Sequence, residues 1–178
     1  MVASEAATTP PIVICDAGPL IHLDELGCID LLSDFPSVLV PESVWQEVER
    51  HRATALAYPA VRLKRVQPPV TPSPELEALV RLLPLHVGEA EALAVAIQYP
   101  GAGLLTDDTA ARLAARTLGI VAHGTLGVLI RAIRRGQRTR QQVLDTLRLL
   151  PAVSSIHLKP ALLEEVIQQV KRDATDGN

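Results

Sequence analysis

The sequence predicts an α/β fold in three layers, α/β/α, with helices on both faces of a mainly parallel central sheet. Three observations predict it. Short β-branched or aliphatic runs recur between segments of helical periodicity, the rhythm of βαβ crossovers, which require a sheet covered on both sides. Hydrophobic residues make up 48 % of the 178 residues and charged residues 21 %, enough for one substantial core and too little chain for two full domains. Two of the short runs end in aspartates, where groups serving a ligand at the carboxyl edge of such a sheet are expected.

Taken in order, residues 12–15 form a β-branched run between Pro11 and the turn-forming Asp16-Ala17-Gly18-Pro19, and read as a buried strand. Leu20, Ile21, Leu23, Leu26, Ile29, Leu31 and Leu32 follow at helical spacing, with Gly27 as the break between two short helices. Residues 38–40 are a second strand, and Pro41 opens a helix through Val44, Trp45 and Val48. Residues 61–66 alternate like an edge strand before a proline-rich loop. Helices are expected at 75–83 and after Gly88, where Ala90, Leu93, Ala94 and Ile97 make a close-packing face. A strand at 104–106 runs into Asp107-Asp108, a helix at 109–118 ends at Gly119, and residues 120–122 are another strand. Three helices complete the chain: 125–135, one running through Leu150, and a last one opened by Pro160 and ending near Arg172.

Composition excludes several classes. Four aromatic residues in all argue against base-stacking platforms, so nucleic-acid contact would rest on phosphate and metal chemistry. Apolar stretches are broken by Arg, Glu or Pro before reaching a bilayer's span, and residues 1–10 lack the basic and apolar regions of a signal peptide, so the expected compartment is the cytoplasm. Cys15 and Cys28 have no zinc or CxxC spacing and read as reduced core thiols. No phosphate-binding P-loop or GxSxG elbow is present, the five histidines share no spacing, and the DxDxT motif of a dehalogenase-like phosphatase is missing. His123, just after an expected strand, is the histidine nearest the strand ends. The net charge of −3 conceals an asymmetry: residues 1–50 hold nine acids and one base, residues 101–150 three acids and eight arginines.

The chemistry therefore rests on carboxylates. Asp16 and the pair Asp107-Asp108 stand at strand ends, while Glu42, Glu47 and Glu49 lie on one neighbouring helix and Glu89 and Glu91 on another. Glu89 and Glu91 are about 200° apart around a helix, so only one can face a shared site. Carboxylates converging in one cleft repel by about 4 kcal/mol per pair at 4 Å in a medium of dielectric near 20, which calls for a compensating cation. Oxygen-only donors select Mg²⁺ or Mn²⁺, ions suited to phosphodiester hydrolysis.

Five segments in order, 12–21 (IVICDAGPLI), 40–48 (VPESVWQEV), 88–94 (GEAEALA), 104–108 (LLTDD) and 124–129 (GTLGVL), resemble the PIN-domain family of metal-dependent ribonucleases, in particular its VapC-like, toxin-related branch. The resemblance spans roughly residues 12–135. It implies a PIN-like nuclease domain over 12–150, after a tail at 1–11 and before a C-terminal helical extension at 151–178. It places the first acid on Asp16, the second on Glu47, the third on Glu91 and the fourth on Asp108 or its neighbour Asp107, as catalytic and metal-holding residues. It further implies Mg²⁺ or Mn²⁺, an RNA substrate, a homodimer with Leu20, Leu23 and Leu26 as apolar candidates for the interface, and an antitoxin protein as partner. Arg112 and Arg116 are candidates for RNA phosphates. Where the family carries Ser or Thr two residues after the first acid, this chain has Gly18 and lacks that hydroxyl. The alternative reading is a PIN-fold binding or regulatory protein whose metal site is weakened for that reason.

Overall fold

The computed structural model describes residues 12–172; the expectations for the tails at 1–11 and 173–178 lie outside them. Five strands, β1 (Val13–Cys15), β2 (Val38–Pro41), β3 (Leu63–Val66), β4 (Gly103–Leu105) and β5 (Ala122–His123), form one sheet in the order β3-β2-β1-β4-β5. Every pairing is parallel, with Val13 opposite Val38 and Gly103, and Cys15 opposite Leu105. The helices are α1 (Ala17–Glu25), α2 (Glu42–Arg52), α3 (Pro74–Leu82), α4 (Val87–Gln98), α5 (Thr109–Thr117), α6 (Thr125–Arg134), α7 (Arg140–Val153) and α8 (Pro160–Arg172). The expected fold class is the observed one, and the edge strand read at 61–66 is β3.

Strand alternation divides the interior into two cores. Val13, Cys15, Val38, Val40 and Leu105 face α1, α2, α6, α7 and α8, while Ile14, Leu39 and Leu104 face α3, α4 and α5. Leu163, Ile167 and Val170 of α8 join the first core, and residue 150 falls inside α7, so the end of α7 and α8 pack with the rest of the described residues. Leu20 and Leu23 are fully buried in that core and offer nothing to a second subunit, because α1 packs them under the sheet. Both cysteines are buried and free.

Two expected boundaries move for local reasons. Gly27, at φ +63, does end α1, but the following segment winds as a 3₁₀ helix over Ile29–Asp34. Gly119, at φ +72, turns the chain so that β5 pairs two residues later than expected. Part of the charge asymmetry is compensated within the fold: Arg131 and Arg135 pair with Asp34, and Arg138 pairs with Asp30, joining the basic and acidic stretches. No helix among the described residues is long and apolar enough to cross a membrane.

Candidate metal centre

Because β2 and β3 lie on one side of β1 and β4 and β5 on the other, the chain reverses its winding direction between β1 and β4, and a crevice opens beyond their carboxyl ends. A cleft of about 600 Å³ lies there, lined by Asp16, Gly18 and His22, by Ser43, Gln46, Glu47 and Arg50 of α2, by residues 86–89, and by Asp107 and Asp108. The four buried polar or charged side chains among the described residues are Asp16, Glu89, Thr106 and Thr125. They belong to this cleft and the network beneath it, so buried polarity is concentrated at one place.

The acids are held by helix N-termini. Asp16 caps α1, its Oδ1 accepting from Ala17 N at 2.8 Å, while its Oδ2 accepts from the Thr106 hydroxyl at 2.9 Å. Glu89 accepts from His86 N at the start of α4 at 2.8 Å, and Asp108 caps α5 by accepting from Ala111 N at 2.8 Å. Asp107 receives three donors: Thr125 N at 2.7 Å and Thr125 Oγ1 at 2.6 Å, at the start of α6, and His22 Nδ1 at 2.8 Å. Each acid thus meets unpaired N–H groups and the positive end of a helix dipole, a partial substitute for a cation.

Compensation is incomplete. Burial, opposed by the two hydrogen bonds and reinforced by the charges of Glu89 and Glu47, pushes the Asp16 carboxyl up to about 6. Glu89 is raised by burial and by Asp108 and Glu47. Asp16, Glu47, Glu89 and Asp108 therefore form one electrostatic group. Cys15, directly below, is pushed up by burial and by Asp16 and Asp107, and stays a neutral thiol.

Of the residues expected at the site, Asp16, Glu47, Asp107 and Asp108 line the cleft and Glu91 does not. Only one of the two glutamates of α4 faces the cleft, and it is Glu89. Glu89 lies in the first turn of α4 facing the strand ends, and Glu91 is turned to α2, where it binds Ser43 N at 2.9 Å and Ser43 Oγ at 2.6 Å. Asp107 is occupied by its three donors, which leaves Asp108 the freer of the pair. The hydroxyl missing at Gly18 is supplied from the neighbouring strand by Thr106, and His22 fills the space above Gly18. Thr106, Thr125, His22 and Arg50 were not among the expected site residues. Thr106, a polar residue at the end of an aliphatic run and before two acids, is the one of these that carries a signal in the sequence.

Two glycines keep the site open. A Cβ on Gly88 would stand 3.7 Å from Glu47 Oε2 and 3.9 Å from Asp16 Oδ1, between the two carboxylates, and 3.1 Å from Val44 Cγ2. A Cβ on Gly124 would lie 2.5 Å from Asp107 Oδ1 and 3.3 Å from the Thr106 carbonyl. Gly124→Ala is thus expected to destabilise the protein by about 1–3 kcal/mol, the cost of overpacking. Gly18→Ala, whose added carbon meets nothing closer than 3.5 Å, should match or exceed wild-type stability because it lies in a helix. Thermal melts of the two variants check this, and equal melting temperatures would contradict the Asp107 hub.

Arg112 and Arg116 lie outside the acid cleft. They line a separate groove of about 500 Å³ between α5 and β5, together with Leu113 and residues 119–122. Arg112 joins the two regions, since its Nη1 stands 3.2 Å from the Cβ position of Gly124, beside Asp107. His123 is near this basic surface, its imidazole lowered by burial and by Arg112, Arg131 and Arg134.

Among the described residues, no three His, Cys, Asp or Glu side chains are gathered closely enough to hold a metal ion. The donor chemistry nevertheless fits a hard divalent cation: the donors are carboxylate oxygens, their mutual charge is under-compensated, and Gly88 leaves room between Asp16 and Glu47. Glu47 makes no hydrogen bond or ion pair with the described residues, and its Oε2 stands beside the open space at Gly88.

Fold and cleft together define an α/β protein with an acidic crevice at the reversal point of a parallel sheet. The family model DUF3368, described as a PIN domain, matches residues 12–172, and the chain belongs to the PIN-domain family. PIN domains are generally nucleases and usually use divalent metals. No curated protein and no solved structure matches the chain.

Proposed function

We propose that the protein is a metal-dependent endoribonuclease, with Asp16, Glu47, Glu89 and Asp108 holding Mg²⁺ or Mn²⁺. The observation that carries this reading is the convergence of Asp16, Glu47, Glu89 and Asp108 from different elements on one cleft, where burial first and neighbouring carboxylates second raise Asp16 and Glu89 and mark a site short of positive charge. A bound divalent ion would supply polarisation of the phosphodiester and activation of water. The chain's own residues set the stage. Asp16 is held rigidly by Ala17 N–H and Thr106, Glu47 reaches in from α2, and Arg112 and Arg116 take flanking phosphates along the adjoining groove. An RNA strand lying across both regions would place one phosphate at the acids and its neighbour at the arginines. We further propose a homodimer and the toxin role with an antitoxin partner, both supported by the resemblance of the five segments to the VapC-like branch.

Calorimetric titration with Mn²⁺ or Mg²⁺ tests the site: binding should weaken sharply in Asp16→Asn, and unchanged affinity would remove Asp16 from it. Arg116→Ala should weaken RNA binding and reduce its salt dependence by roughly one counterion, with ion affinity unaltered. The same salt slope in variant and wild type would take Arg116 off the RNA path.

The alternative, a PIN-fold binding protein with a weakened site, is favoured by the separation of the acids and by the backbone N–H groups from which Asp16, Glu89 and Asp108 already accept. It predicts RNA or protein binding without ion-dependent cleavage.

A further inference from the structure

Helix α2 begins without a cap of its own. Its N-cap residue is Pro41, which has no side-chain acceptor. The first helical residue, Glu42, turns its carboxylate outward to Arg65, Gln46 and Gln67. The N-terminal N–H groups of α2 therefore need an acceptor from elsewhere. Glu91 provides it from α4, accepting from both the backbone N–H and the hydroxyl of Ser43. The two helices meet closely here because Gly88 stands against Val44, where a Cβ would come within 3.1 Å of Cγ2.

Glu47 lies four residues beyond Ser43, one turn further on the same face of α2, and both residues line the acid cleft. Glu47 has no hydrogen bond among the described residues, so its position follows from where α2 sits. We propose that Glu91 is a positioning residue, a cap in trans that fixes α2 against α4 and thereby sets Glu47 across from Asp16. This rests on the reading of Asp16, Glu47, Glu89 and Asp108 as the ion-holding acids. It reassigns Glu91 from holding the ion to holding the helix that carries Glu47.

The test measures Mn²⁺ affinity by calorimetry and exchange of the Ser43 amide by NMR in Glu91→Ala, Glu91→Gln and Ser43→Ala. Glu91→Ala should lower Mn²⁺ affinity by about tenfold or more, the usual cost of losing a group that orients a ligand. Ser43→Ala should show part of the same loss. Glu91→Gln retains an acceptor oxygen and should restore most of the affinity and slow Ser43 exchange. In a Glu47→Ala background, Glu91→Ala should cause no further loss of affinity, because the residue it positions is gone. Glu91→Gln binding Mn²⁺ as poorly as Asp16→Asn, or additive losses with Glu47→Ala, would overturn the proposal. If the wild-type protein takes up no Mn²⁺, the ion-holding reading fails by itself. The clamp is then judged by exchange: faster exchange at Ser43 in Glu91→Ala alone supports it, and unchanged exchange refutes it.

Discussion

Asp16→Asn should make the metal-free protein more stable at neutral pH while removing its capacity to bind a divalent ion. The folded-state carboxyl is raised to about 6 from an ordinary value of 3.8, so the native state holds this proton more tightly than the unfolded chain. The favourable contribution is complete below the unfolded value and is lost as pH climbs from about 4 through about 6. Roughly two pKa units at 1.36 kcal/mol each make ionised Asp16 a cost of about 3 kcal/mol at pH 7.5. Asparagine escapes this cost. Its carbonyl can accept from Ala17 N, and its amide can donate to the Thr106 hydroxyl. In EDTA at pH 7.5 the variant should melt about 6–12 °C above wild type, given about 2–4 °C per kcal/mol for a chain of this size. The gap should shrink towards pH 4. Added Mn²⁺ should narrow it at neutral pH by stabilising only wild type. A variant less stable than wild type in EDTA at pH 7.5 would show that Asp16 is held for stability instead.

Glu89→Gln should cost catalysis at least about 100-fold while leaving the fold intact, since a carboxylate removed from an ion site loses nucleophile activation and leaving-group stabilisation together. The glutamine oxygen can still accept from His86 N, so the start of α4 keeps its cap. What is lost is one negative charge among Asp16, Glu47 and Asp108. Initial rates on labelled RNA, with circular dichroism melts as the control for folding, check the expectation. A Glu89→Gln enzyme of wild-type rate would remove Glu89 from the site.

The order of elements was legible because β1, β2 and β4 are short aliphatic runs, β3 alternates as Leu-Lys-Arg-Val, and most helices are opened or closed by Gly or Pro, signals that depend only on local sterics. Gly27, Gly101, Gly119 and Gly136 all adopt positive φ, and three of them close helices where the spacing placed breaks. The cleft's acids at strand ends were legible too, because the crossover rule fixes which end of a parallel sheet carries the site. The phase of α4 was not. Whether Glu89 or Glu91 faces inward depends on Pro41 leaving α2 uncapped and on Gly88 admitting Val44, facts about two helices far apart in sequence. The same holds for Gly18, whose missing hydroxyl is replaced by Thr106 across the sheet, and for Arg131, Arg135 and Arg138, which satisfy Asp30 and Asp34 inside the fold.

On the function proposed above, the acid cleft hydrolyses RNA only with a divalent ion held by its carboxylates. The direct measurement is incubation of labelled single-stranded RNA with wild type and Asp16→Asn in EDTA, Mg²⁺ or Mn²⁺. Cleavage by wild type is expected in Mg²⁺ or Mn²⁺, with none in EDTA and a loss of orders of magnitude in Asp16→Asn. Cleavage that survives both EDTA and Asp16→Asn, or no cleavage by wild type with either ion, would contradict it.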